Sequence, residues 1–432
     1  MSRRPVTGSS QILAIRAGSL FDGERALGPG MVLTQAGLIT GIDTSGAPPP
    51  ADWLIHDFGD GVTVMPGLID CHVHLSLDAS GQAMANVAAA DDDALLQHMV
   101  AAATTALHAG ITTVRDLGDR RFLSLRLRDH LTRNGIPAPR IVAAGPPLTT
   151  HGGHLAVMGG EAEGPDELKA AVDERARRGC EVVKVMASGG ATTPGSRPHD
   201  DQYGPEDLRF IVDQARERGL RTAAHVHAVT SIAGALEARF DSLEHVTFMT
   251  ADGVAADQRL IERIAESGAF VSLTIGAVPG MGKPPPAVAQ RLEQIRSNAA
   301  RLCNAGANIV LGTDAGLSPG KPPDVLPYAL KELVDLGIPP IRALHAVTAV
   351  AAAACGLHGL TGRLAQGARA DLTAINGDPL SEISDIHNVV AVYHDGHLVV
   401  DRRQPARTSG SPLIPALHAD AQQQDAGVRL HA

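Results

Sequence analysis

Aromatic side chains are scarce, with Trp, Tyr and Phe together making up 3% of the 432 residues. Lysine and arginine never run longer than two in a row, and 37 basic against 47 acidic residues leave a net charge of −10. Without stacking residues or a basic patch, a nucleic-acid partner is not expected. Cysteine is scarce too. Cys71, Cys180, Cys303 and Cys355 lie far apart with no CxxC pair, which argues against both a disulfide framework and a thiolate zinc site. The longest apolar stretch, Ala346 to Cys355, falls well short of the roughly 20 residues that cross a bilayer, so no membrane partner is expected. Met1 to Gly8 carries charge without the apolar core of a secretory signal, and a cytoplasmic location follows as the expectation.

What remains is the composition of a folded protein, 44% apolar and 19% charged, with a mean hydropathy of +0.02. Nineteen histidines are the compositional oddity, and their positions decide whether they matter.

From about residue 66 onward, short β-branched runs alternate with amphipathic stretches, the pattern of repeated βα units. Eight strand candidates begin at Pro66, Gly110, Arg140, Cys180, Arg221, Asp241, Ala269 and Asn308. Helical stretches such as Asp166 to Arg178, Pro205 to Arg218 and Asp257 to Ser267 each end before a glycine. The predicted fold class is α/β: a (β/α)8 TIM barrel over residues 66–365, with its reactive groups at the C-terminal ends of the strands. Residues 1–65 and 366–405 hold strand-like segments and glycine turns without long helical patterns. They are expected to form a small composite β-sandwich domain built from both chain ends, followed by a weakly ordered tail at 406–432.

His72-Val73-His74 ends the first barrel strand, and a period of two points both imidazoles to one face while Val73 points to the other. His225 and His227 repeat the arrangement on the fifth strand, and periodicity alone does not choose between them. His245 and Asp314 end the sixth and eighth strands, and Lys184 stands among apolar residues of the fourth. Imidazole and carboxylate suit Zn²⁺.

Pro66-Gly-Leu-Ile-Asp-Cys-His-Val-His, Gly110-Ile-Thr-Thr-Val-Arg-Asp-Leu-Gly, Val183-Lys-Val-Met-Ala-Ser-Gly-Gly, Ala224-His-Val-His, Ser242-Leu-Glu-His and Leu311-Gly-Thr-Asp-Ala occur in that order, each at a predicted strand end. Together they resemble the amidohydrolase superfamily, closest to its prolidase-like and imidazolonepropionase-related metal-dependent hydrolases, which include dipeptidases and ochratoxin-type amidases. The resemblance implies a centre of two divalent ions, zinc being expected, held by His72, His74, Lys184, His225, His245 and Asp314. It also implies that Lys184 is carboxylated to N6-carboxylysine, which accords with the lowered pKa of a lysine desolvated in a barrel. His225 is then the ligand, while His227 becomes a candidate for orienting the substrate carbonyl. Asp314 is assigned as general base and then general acid.

Thr149-Thr-His-Gly-Gly-His-Leu after the third strand offers His151 or His154 to a substrate. Ser188-Gly-Gly-Ala-Thr-Thr-Pro-Gly-Ser lacks the spacing of a phosphate cradle and is expected to be a mobile lid. Arg115 and Asp116 read equally as a structural ion pair or as a substrate anchor. The remaining histidines, such as His98, His130 and His397, read as ordinary surface or core residues.

These expectations amount to a hydrolase that cleaves an amide or peptide C–N bond of a small molecule by a metal-activated bridging hydroxide. N-acyl amino acids, dipeptides and aryl amides such as mycotoxins are the substrate candidates, and a homo-oligomer is expected. The alternatives are a cyclic-amide hydrolase, a single-metal aminohydrolase (deaminase) and a non-catalytic barrel scaffold.

Overall fold

The computed structural model describes residues 11–403 except 283 and 285; the tail expected at 406–432 lies outside the described residues. Five strands come first, β1 (Leu13–Phe21), β2 (Ala26–Gln35), β3 (Leu38–Asp43), β4 (Leu54–Asp57) and β5 (Val62–Pro66). Eight follow, separated by helical segments: β6 (Leu68–Val73), β7 (Ile111–Asp116), β8 (Arg140–Ala143), β9 (Val182–Met186), β10 (Arg221–Ala228), β11 (Ser242–Met249), β12 (Phe270–Leu273) and β13 (Asn308–Leu311). Then come β14 (Leu372–Asn376), β15 (Val389–His394) and β16 (His397–Asp401). The fold is mixed α/β.

Local chemistry explains the helix limits. The Asp91 side chain accepts the Ala94 amide and opens the helix Asp92–His108, satisfying a donor that the first turn leaves free. The helix Gly164–Arg178 stops at Gly179, whose φ of 88° suits a residue without a Cβ. Gln258–Glu266 turns Leu260, Ile261 and Ile264 to the core. Burying side chains of this kind contributes about 1.5–3 kcal/mol each.

Strands β6, β7 and β8 form one parallel sheet, and β9 to β13 form a second in chain order. Backbone bonds join their neighbouring edges. Past β8, Leu148 N donates to Lys184 O at 2.8 Å and Met186 N donates to Leu148 O at 2.8 Å. Past β13, Asp314 N donates to His72 O at 2.7 Å and His74 N donates to Ala315 O at 2.9 Å. Ile69, Cys71, Val142, Val182, Ala223 and Val310, drawn from both sheets, share one buried cluster with alanines of the helix Ala349–Ala354.

The other strands form one sheet in which β5 lies between β1 and β14, so the strands of the two flanks join edge to edge. Ile15, Val32, Val64, Leu372 and Tyr393 give it a core of its own. The strand-like segments and glycine turns expected near the end of the chain include the hairpin of β15 and β16. Asp395 and Gly396 turn the chain there with φ of 48° and 76°, a conformation that an Asp-Gly pair tolerates. No described helix is long and apolar enough to cross a membrane.

Candidate metal centre and active site

The ends of the parallel strands converge on one cavity of about 250 Å³. His72, His74, Lys184, His225, His245, Asp314, His227 and His154 all line it. The alternation expected of a strand sets the two leading imidazoles side by side, with ring centroids 5.3 Å apart. Asp314 Oδ1 lies 3.3 Å from His74 Nε2 and 3.6 Å from His72 Nε2, and Lys184 Nζ lies 3.5 Å from His72 Nε2. His225 and His227 both face the centre, their rings 4.5 and 4.6 Å from that of His245. Backbone strain helps to aim two of these side chains, since His245 and Asp314 hold left-handed φ of 73° and 61°. At Gly312 a Cβ would fall 2.4 Å from the His72 Cβ, so glycine is required for this approach.

Each imidazole is gripped from behind, which leaves its other nitrogen facing inward. His72 Nδ1 donates to Glu244 Oε2 at 3.0 Å, His74 Nδ1 to Gly118 O at 2.9 Å and His225 Nε2 to Gly189 O at 3.1 Å. Threonine hydroxyls hold the others: Thr247 Oγ1 lies 2.8 Å from His227 Nδ1, Thr274 Oγ1 2.8 Å from His245 Nδ1 and Thr193 Oγ1 3.1 Å from His154 Nδ1.

Burial sets the protonation states. It pulls His72 and His227 down to about 4 and His154 to about 3, and pushes His225 and His245 well below 6.5, so these rings are neutral near pH 7. Burial also brings Lys184 down to about 8. For Asp314 burial works in the opposite sense, yet His72, His74 and Lys321 outweigh it and hold the carboxyl far below the usual range.

Two buried polar atoms in this cluster, His245 Nε2 and Asp314 Oδ1, have no hydrogen-bond partner among the described residues. Such orphans are costly unless a ligand satisfies them. His72, His245 and Asp314, and likewise His225, His227 and His245, bring donor atoms within 4.8 Å of one another. Neutral imidazoles with inward lone pairs beside a carboxylate fit divalent cations such as zinc.

Of the two histidines that the sequence offers to a substrate, the structure brings only His154 to the cavity. Gln202 Oε1 accepts its backbone N–H at 2.5 Å, and Gly190 packs against its ring. His151 is 58% exposed, with Nε2 3.3 Å from Glu167 Oε2, because the Gly152-Gly153 turn sends it outward. The segment expected to be a lid is tied down at several points: Ser188 Oγ accepts the His227 amide and Thr193 Oγ1 accepts the Leu155 amide.

Sequence reasoning missed a buried network behind the histidine cluster. Arg115 does not pair with Asp116. Its guanidinium donates to Glu244 Oε1 at 2.9 Å and to Cys71 O at 2.6 Å, and Glu244 in turn holds His72. Asp116 instead accepts the amides of Leu75 and Gly118. The available signal was an arginine and a glutamate each inside an apolar strand, where burial requires an opposite charge.

A family model described as Amidohydrolase family matches residues 63–399. The chain belongs to the amidohydrolase family. It is 29% identical over 374 residues to ochratoxinase of Aspergillus niger, covering 77% of this chain and 74% of that protein. It is 27% identical over 380 residues to imidazolonepropionase of Pseudomonas entomophila (strain L48), covering 79% and 86% of the two chains. A crystal structure of a Xaa-Pro dipeptidase with methionine bound in its active site superposes with a TM-score of 0.80 at 27% identity, over 90% of this chain and 99% of that one.

Proposed function

We propose that this protein is a metal-dependent hydrolase cleaving an amide or peptide C–N bond of a small molecule, with N-acyl amino acids, dipeptides and aryl amides as the candidate substrates. One observation carries the reading: His245 Nε2 is buried without a hydrogen-bond partner, and Asp314 Oδ1 lies 3.3 and 3.6 Å from His74 Nε2 and His72 Nε2, on the floor of one cavity lined by imidazoles. The assignments of ochratoxinase and the Xaa-Pro dipeptidase agree with it. The same reading makes the two parallel sheets one closed (β/α)8 barrel over residues 66–365, supported by the bonds between their edges. Residues 11–65 and 366–403, whose strands share one sheet rather than the two of a sandwich, are then one composite β domain.

His72, His74, Lys184, His225, His245 and Asp314 would hold two divalent ions, zinc being the chemical fit. The lowered pKa of Lys184 supports its conversion to N6-carboxylysine, because the neutral amine is the form that reacts with carbon dioxide. Bound cations of this kind make water acidic and polarise a carbonyl. Asp314 receives the proton of the attacking water at Oδ1 and passes it to the leaving nitrogen. His227, with Nδ1 on the Thr247 hydroxyl, presents its inner nitrogen to the substrate oxygen, and negative charge forming there is stabilised by its N–H. His154 also orients the substrate.

The test is metal analysis combined with a panel of N-acyl amino acids, dipeptides, lactones and aryl amides. Two ions per chain and amide hydrolysis that chelation abolishes are expected. A single ion with release of ammonia, or activity indifferent to chelation, overturns the reading.

A further inference from the structure

The helix Leu292–Asn304 turns one stripe to the cavity, Leu292, Ile295, Arg296 and Ala299, the i, i+3, i+4, i+7 spacing of a single helical face. Three of those side chains are apolar and the fourth is a cation. Its guanidinium is held from one side only: Arg296 Nε donates to Glu332 Oε1 at 2.7 Å, while Glu332 Oε2 accepts the Gly276 amide at 2.9 Å. Among the described residues nothing engages Arg296 Nη1 or Nη2. Lys321, the neighbouring cation of the wall, is committed otherwise, donating to the carbonyls of Thr274 and Thr313. Leu273, Ile275 and Leu317 complete an apolar passage from the histidine floor to this arginine.

A planar guanidinium anchored at Nε presents its two terminal nitrogens as a fork, the geometry that fits a carboxylate with two parallel hydrogen bonds. We propose that Arg296, positioned by Glu332, receives a carboxylate of the substrate. The substrate is then an anionic amide, with an apolar group between the scissile bond and the acid, rather than a neutral aryl amide. This inference rests on the hydrolase reading and selects among its substrates. Glu332 is a positioning residue, since its own oxygens are spent on Arg296 and Gly276.

The experiment compares N-benzoyl-L-phenylalanine with its C-terminal amide, in the metal-loaded wild type and in Arg296→Gln and Glu332→Gln. Arg296→Gln is expected to cut kcat/KM for the acid by about 100-fold, mostly through KM, and to cost the amide at least tenfold less. Glu332→Gln should show a smaller loss with the same preference. Equal losses on both compounds, or no loss on the acid, overturn the proposal. If the wild type turns over neither compound, the hydrolase reading fails on that pair. The receptor is then judged by calorimetric titration with 3-phenylpropionate and 3-phenylpropionamide: a preference for the acid that vanishes in Arg296→Gln sustains it, and an unchanged preference removes it.

Discussion

One set of imidazoles on the cavity floor, His72, His74 and His225, differs from a second set, His154, His227 and His245, in what stands behind the rings. In the first set the partners are a carboxylate and two backbone carbonyls, which only accept. The outer nitrogen therefore carries a hydrogen, and the inner one faces the centre. In the second set the partners are hydroxyls, which accept or donate equally well, so either tautomer is allowed. The first arrangement suits residues that hold a cation and do nothing else. The second suits residues that meet a substrate whose hydrogen-bonding needs change along the reaction, and it leaves His245 able to serve as ligand from the adaptable set.

The largest way to break this contrast is to remove Lys184, whose Nζ lies 3.5 Å from His72 Nε2. Lys184→Ala should abolish measurable turnover and lower the bound metal below two ions per chain by elemental analysis; full occupancy with normal turnover would end the six-ligand assignment. Next comes the support behind the rigid set. Glu244→Gln deprives Arg115 of its buried counter-charge, and breaking such a pair costs about 3–5 kcal/mol. The same change weakens the grip on His72, for which a loss of about 10–100-fold in metal affinity is expected. Calorimetric unfolding and competition with a metal-binding dye would separate the two effects.

A third consequence concerns pH and the protein stripped of metal. Unfolded histidines take up protons near 6.5, whereas folded His72 and His227 resist until about 4 and His154 until about 3. The unfolded chain thus binds more protons across that window, and stability must fall as the pH drops from about 6.5 towards 4. The melting temperature of the metal-free protein should follow, with a shallower slope in His227→Asn. A flat profile would mean that these rings are not desolvated as the structure has them.

Much of this site was legible before any coordinates, because side chains at strand ends obey the same period of two that defines the strands. His72 and His74 declare their shared face in three consecutive residues. What stayed hidden depends on partners distant in the chain. Thr149-Thr-His-Gly-Gly-His gives no reason to prefer His154 over His151; the choice is made by Gln202 and Thr193, 48 and 39 residues away from His154. Arg115 and Glu244 are separated by 129 residues, so the ion pair that anchors His72 could not be read from either strand alone. The flanking sheet was legible as strands but not as an order, since the placing of β5 between β1 and β14 depends on closure of the chain.

The smallest effect is the most discriminating. In Thr247→Val the shape of the side chain is kept and its hydroxyl is lost, so the His227 ring remains in place while its outer nitrogen loses the partner at 2.8 Å. Metal content should not change, and kcat should fall about tenfold, the worth of one neutral hydrogen bond of about 1 kcal/mol together with the cost of a buried ring nitrogen left unpaired. The corresponding Thr274→Val, behind His245, should instead lower metal affinity a few-fold. If both variants lost metal alike, the hydroxyl-backed histidines would all be ligands, and the division of the imidazoles into a holding set and a substrate set would collapse.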